Sequence, residues 1–98
     1  MEVFEVKKAI AQSVAKLTVT AAICTVDCYG VPASITVALQ DDLRELNKLD
    51  SSPLVEAAQD MVKIAIRHSI EPTTETYDEA RIARDKLGDL LIYSKVVR

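Results

Sequence analysis

An almost uncharged segment, residues 17–39, most strongly constrains how this 98-residue chain can fold. Its single charged side chain is Asp27, whereas the segments on either side are rich in Lys, Arg, Asp and Glu. The length of the segment suggests a membrane span, but Asp27, Gly30 and Pro32 lie at its middle. An aspartate at the centre of a bilayer costs about 2.5–3.5 kcal/mol. The segment is therefore predicted to belong to the core of a water-soluble protein, with no membrane partner.

Apolar residues alternate with polar or small ones in both halves of this segment. The first half places Leu17, Val19, Ala21 and Ile23 at every second position, and the second half does the same with Ala33, Ile35, Val37 and Leu39. Turn-forming residues 27–32 lie between them. A period of two is typical of strands, so the pattern predicts a β-hairpin with strands at about 17–26 and 33–39.

The rest of the chain shows helical spacing. Apolar residues three and four apart predict an N-terminal helix before the hairpin and three helices after it, at about 41–49, 53–70 and 76–96. Asp41 is expected to cap the first of the three, Ser52 and Pro53 to begin the second, and Thr76 with Glu79 to form a capping box for the third. The predicted fold class is α+β, in a single globular domain over residues 1–98.

Residues 17–39 also fit an all-helical alternative. Apolar positions from Ile10 to Cys28 step by four and three residues in turn, which would form one long first helix. Gly30 would then cap that helix, and Pro32 would begin a second one that runs to Leu49. The alternative fold is a four-helix bundle with a helix corner at 29–32. The many β-branched residues of the segment favour the hairpin over this bundle.

Composition and charge narrow the possible functions. The chain carries 15 acidic and 12 basic residues in interleaved order, for a net charge of −3, so no basic stripe is available to neutralise phosphates. Nucleic-acid binding is therefore disfavoured. The mixed charges near the N-terminus do not match a secretory leader, and two cysteines suit a reducing compartment. These features predict a cytoplasmic protein.

Two resemblances involve the segment around the central turn. Residues 25–34, Thr-Val-Asp-Cys-Tyr-Gly-Val-Pro-Ala-Ser, resemble the first hairpin of the pyridoxamine-phosphate-oxidase-like flavin proteins, which implies a minimal flavin-binding split barrel. Residues 29–34 also resemble the turn of a helix-turn-helix unit, which implies a transcription regulator whose recognition helix starts at Pro32. That helix would present Ala33, Ser34, Val37 and Ala38, and none of these has the basic or amide group that usually reads bases.

No pattern in the sequence predicts a catalytic, metal or cofactor site. His68 is the only histidine, and its spacing from Cys24 and Cys28 does not match a structural zinc site. Adjacent acids such as Asp41 and Asp42 usually cap helices and contact water. The chain is therefore predicted not to be an enzyme.

By exclusion, the sequence predicts a small non-catalytic intracellular interaction or regulatory protein that binds another protein and forms a homodimer. The binding surface is expected at the uncharged turn and at exposed apolar positions of the last helix. The residues predicted to bind the partner are Tyr29, Val31, Pro32, Ile82 and Tyr93.

Overall fold

The computed structural model describes residues 4–24 and 33–97, and the side chains of residues 5–23 and 34–97. Within these ranges the chain is mostly helical, with a small parallel sheet. The elements in chain order are β1 (Phe4–Lys7), α1 (Lys8–Leu17), α2 (Val19–Cys24), α3 (Ala33–Leu46), α4 (Pro53–Ile70), α5 (Thr74–Ile92) and β2 (Ser94–Val97).

The predicted hairpin is wrong over the described residues, because α1, α2 and α3 occupy the positions assigned to its strands. Burial along the chain explains the error. Ala21 is buried and Leu17 half-buried, but Val19 and Ile23, which a strand would place on the same face, are exposed. Of the four alternating residues, only Leu17 and Ala21, which are four positions apart, thus face the core, as in a helix. The β-branched Val19 and Ile23 lie outward, where strand preference is easily overridden. The turn at 27–32 lies outside the described residues.

The second half of the segment follows the same rule. Ile35 is half-buried and Leu39 fully buried, whereas Val37 between them is exposed. The short helix predicted at 41–49 forms the C-terminal part of α3, which begins at Ala33 and not at a cap provided by Asp41. The helical alternative is closer to the structure here, although its corner at 29–32 also lies outside the described residues.

Thr18 divides the first helical stretch into α1 and α2. Its hydroxyl donates a hydrogen bond of 2.8 Å to the Val14 carbonyl, which also accepts from the Thr18 backbone N–H at 3.1 Å. The Ala22 N–H donates to the Thr18 carbonyl at 2.9 Å, so helical hydrogen bonding continues through the junction. A threonine hydroxyl bonded to the carbonyl four residues earlier often bends a helix. The long first helix of the alternative fold is thus divided in two.

Strands β1 and β2 were not predicted. They pair in parallel, with Phe4 opposite Ser94 and Val6 opposite Val96. The predicted N-terminal helix therefore starts only at Lys8, and the last helix ends at Ile92 and not near residue 96. Val6 is 4% exposed and belongs to the core, whereas Val96 is 52% exposed.

Helix α4 confirms the prediction for 53–70 and forms the centre of the core. The Ser52 hydroxyl accepts a hydrogen bond of 3.2 Å from the Val55 backbone N–H, and Pro53 occupies the first helical turn. The helix packs against α1, α2, α3 and α5. Its buried side chains are Leu54, Val55, Ala57, Ala58, Met61, Val62, Ala65 and His68.

Candidate functional site

The structure describes two of the five residues predicted to bind a partner. Ile82 lies on α5 with 69% of its surface exposed, and Tyr93 follows the end of that helix at 41% exposed. The exposure predicted for both is confirmed. Eleven residues make three helical turns, so both side chains lie on the same side of α5, about 16 Å apart. Tyr29, Val31 and Pro32 lie outside the described residues.

Ile82 lies in a shallow groove between α4 and α5, which we name the α4–α5 groove. The groove has a volume of about 300 Å³ and is lined by Asp60, Ile64, Arg67, Glu79, Ile82, Ala83 and Lys86. Ile64 and Ala83 are half-buried, and they flank the more exposed Ile82. The centre of the groove is therefore apolar, and four charged residues surround it.

The four charges lie at the two ends of the groove. At the end near the α4–α5 loop, Arg67 Nη1 lies 3.1 Å from Glu79 Oε2. Asp60 precedes Arg67 by seven residues and Lys86 follows Glu79 by seven, so both lie about 10 Å away, at the other end. Within the described part of the chain, neither Asp60 nor Lys86 belongs to an ion pair. Each end thus carries one positive and one negative side chain.

A second depression continues from Ile82 along α5. It is lined by Ile82, Asp85, Lys86, Asp89 and Leu90. Ile92, which is 75% exposed, lies further along the same helix, next to Tyr93. Charged residues therefore separate the exposed apolar side chains at the C-terminal end of α5 from Ile82.

A buried polar cluster connects α4 to α5 beside the loop that joins them. Nδ1 of His68 lies 2.8 Å from Oγ1 of Thr76, and both residues are buried. Thr73 and Thr76 form a reciprocal capping box, since each side-chain oxygen accepts from the other residue's backbone N–H at 3.0 Å. The predicted cap at Thr76 and Glu79 is therefore wrong by three residues: Thr73 is the cap, and Thr76 is its partner.

Tyr77 covers this cluster from outside. Its ring centre lies 6.0 Å from that of His68, and the guanidinium of Arg81 lies 6.0 Å from the same tyrosine ring. Among the described residues, Nε2 of His68 has no hydrogen-bond partner. His68 lies in the last turn of α4 and is buried against α5.

Asp41 and Asp42 lie within α3. Arg44 Nη1 donates to Asp41 Oδ1 at 3.0 Å on the exposed side. Burial raises the pKa of the Asp42 carboxyl above its ordinary value, and the neighbouring charge of Asp41 raises this pKa further. Asp41 is thus exposed and Asp42 half-buried, and both lie inside a helix and not at its start.

No cluster of three or more His, Cys, Asp or Glu residues in the described part of the chain is arranged to hold a metal ion. Cys28 and the side chain of Cys24 lie outside that part. The helices that the structure describes are all too short or too polar to cross a membrane.

The chain matches no protein-family model, no curated protein and no solved structure.

Proposed function

We propose that this chain is a small, non-catalytic, cytoplasmic interaction protein that acts by binding protein through the α4–α5 groove. The observation that supports the proposal best is Ile82, a large aliphatic side chain that is 69% exposed at the centre of a charged frame. Burying such a side chain fully contributes about 1.5–3 kcal/mol. An apolar centre with a polar rim is also the usual anatomy of a protein–protein interface.

Tyr93 and Ile92 extend this proposed surface along α5. Tyrosine is common at interfaces because its ring packs on apolar groups while its hydroxyl remains hydrogen-bonded. The turn residues Tyr29, Val31 and Pro32 remain predicted contacts in the proposal. Their contribution is separable from that of the groove by substituting each group alone.

The two other functions proposed from the sequence receive less support. The flavin-binding split barrel requires strands at 17–26 and 33–39, and the described residues in those ranges are helical. A recognition helix over α3 would expose Asp41 and Glu45 to the DNA backbone, which repels acidic side chains. We therefore propose neither a flavin-dependent nor a DNA-binding function for this chain.

Site-specific photo-crosslinking tests the proposed surface directly. One variant of the full chain carries the photoreactive residue p-benzoylphenylalanine at position 82, and its matched control carries it at position 12, an exposed position on α1. We expect light-dependent protein adducts from position 82 and few from position 12, in purified protein or in cells. Equal adduct yields from the two positions would contradict the proposal. The mass of each adduct identifies whether the bound protein is a second copy of this chain.

A further inference from the structure

We propose that the α4–α5 groove binds the same groove of a second copy of this chain, about a two-fold axis parallel to the two helices. This inference rests on the proposed protein-binding function of the groove and identifies its partner. Each α5 would lie on α4 of the other copy, and the four helices would form an antiparallel bundle. The expected assembly is a closed, symmetric dimer.

The pattern of charges in the groove carries the inference. Along α4 the rim is negative at Asp60 and positive at Arg67, and along α5 it is positive at Lys86 and negative at Glu79. Viewed from outside, these four side chains form the corners of a rectangle, and the sign of the charge alternates from each corner to the next. Rotating a second copy by 180° about an axis between the two helices and parallel to them places a negative corner opposite a positive one at all four positions.

The unpaired charges select this axis over the other in-plane two-fold axis, which lies across the helices. An axis across the helices would place Asp60 against the partner's Arg67, which already pairs with Glu79 in its own chain. The axis parallel to the helices instead places Asp60 against the partner's Lys86, and Lys86 against the partner's Asp60. Neither of these two side chains forms an ion pair within the described part of its own chain. This arrangement therefore adds two new pairs without competing with the existing one.

The apolar centre of the groove fits the same arrangement. Ile82 follows Glu79 and precedes Lys86, and Ile64 lies between Asp60 and Arg67 on the neighbouring helix. Both isoleucines therefore lie at the middle level of the groove. The rotation places Ile82 against the partner's Ile64 twice, so that the exposed Ile82 of each copy is buried by an apolar side chain.

The balance of charge in the groove argues against a strongly charged partner. Two acidic and two basic side chains frame the apolar centre, so the net charge of the rim is zero. A nucleic acid or a uniformly acidic peptide would be attracted at two corners and repelled at the other two. A second copy meets opposite charges at every corner. A dimer interface of standard size needs about 800 Å² from each copy, and the second depression along α5 extends the groove towards that area.

The first test is the mass of the purified full chain, measured by sedimentation equilibrium over a range of concentrations. We expect a monomer–dimer equilibrium, and we expect Ile82→Glu to shift it to monomer. Circular dichroism of the variant should match that of the natural chain, because Ile82 is exposed. A chain that stays monomeric at all concentrations would overturn the inference. In that case crosslinks from position 82 to a different protein would leave the proposed function standing, and the absence of any crosslink would overturn both.

Charge reversal tests the orientation of the two copies. Asp60→Lys alone and Lys86→Glu alone should each weaken dimerisation by about tenfold, because each places like charges together twice. A mixture of the two single variants should form a mixed dimer whose affinity is near that of the natural chain, since Lys at 60 then faces Glu at 86. An axis across the helices predicts no such rescue, and its absence would overturn the orientation. Lys8→Glu and Glu45→Lys, on α1 and α3, are matched charge-reversal controls that should leave the dimer unchanged.

Discussion

Nδ1 of His68 lies 2.8 Å from Oγ1 of Thr76, and this contact joins the end of α4 to the first turn of α5 inside the protein. The Thr76 hydroxyl oxygen also accepts from the Thr73 backbone N–H at 3.0 Å. A single side-chain oxygen therefore completes a helix cap and provides the hydrogen-bond partner of a buried imidazole. Because α4 and α5 form the proposed binding groove, this cluster also holds that groove in shape.

Replacing the Thr76 hydroxyl tests the cluster. Thr76→Val keeps the shape of the side chain but removes the acceptor of the Thr73 N–H and the partner of His68. We expect a loss of about 2 kcal/mol in the free energy of unfolding, from the lost cap and the unpartnered imidazole. Urea denaturation measures this loss. Thr74→Val, at an exposed position in the same turn, is the matched control and should change stability by less than about 0.5 kcal/mol. Equal losses in both variants would contradict the role of the cluster.

The N-terminal cap of α4 provides a second prediction. Ser52 Oγ accepts from the Val55 N–H at 3.2 Å, so Ser52→Ala should cost about 1 kcal/mol of unfolding free energy. The neighbouring Ser51 hydroxyl donates an exposed hydrogen bond of 3.3 Å to Glu56 and does not cap the helix. Ser51→Ala should therefore leave the urea midpoint nearly unchanged. A larger effect at Ser51 than at Ser52 would show that the cap is wrongly assigned.

Replacing Gly88 in the interior of α5 should stabilise the protein. A glycine inside a helix can allow the close approach of another backbone, but apart from its chain neighbours and its own helix backbone, a Cβ built at Gly88 would meet no atom of the described residues within 4 Å. Gly88 also has no positive φ that would require glycine. Gly88→Ala should therefore raise the free energy of unfolding by about 1 kcal/mol, because alanine is the better helix former. Thermal denaturation followed by circular dichroism measures the gain, and a lower melting temperature would contradict it.

Asp42 should make stability depend on pH. Burial, and then the charge of Asp41, raise the pKa of Asp42 in the folded state above its ordinary value of 3.8. The folded state thus holds this proton more tightly than the unfolded state. Its contribution to stability is complete below the unfolded pKa and is lost as the pH rises through the folded pKa.

The substitution Asp42→Asn removes this titration. At pH 7 the variant should be more stable than the natural chain, and at pH 3 the difference should vanish, as measured by urea denaturation at both values. Asp50→Asn, at an exposed position between α3 and α4, should leave stability nearly unchanged at either pH. A variant that is less stable than the natural chain at pH 7 would show that the Asp42 carboxylate stabilises the fold.

The sequence predicted best the elements whose signals are local. Ser52 and Pro53 identify the start of α4 because a cap acts on backbone groups only three residues away. The hairpin failed because Leu17, Val19, Ala21 and Ile23 satisfy a period of two, while only alternate members of that series face the core. Strand propensity mostly reflects how well a side chain packs on its neighbours. Packing against α4 therefore determines the structure of this segment more strongly than the strand propensity of its residues does.

Pairings between distant segments could not be predicted. The contact between β1 and β2 joins segments of four residues each, which are too short to carry a periodic signal. The charges of the groove could not be predicted for the same reason. Helical spacing places Asp60 and Arg67 on one side of α4, but it does not show that Lys86 and Glu79 of α5 lie beside them. Exposure of Ile82 was predictable from the helical phase of α5 alone. Its position between two pairs of charges required the packing of α5 against α4.

Parallel pairing of β1 with β2 has a consequence for synthesis of the chain. Phe4 is opposite Ser94, so the first strand leaves the ribosome ninety residues before its partner. At typical rates of translation this interval lasts roughly 5–20 s. Throughout that time the backbone N–H and C=O groups of β1 lack their partner strand. Unpaired strand edges can form hydrogen bonds with strands of other chains, which leads to aggregation. The risk that β1 pairs with another chain is therefore greatest during translation, and slower elongation would prolong that period.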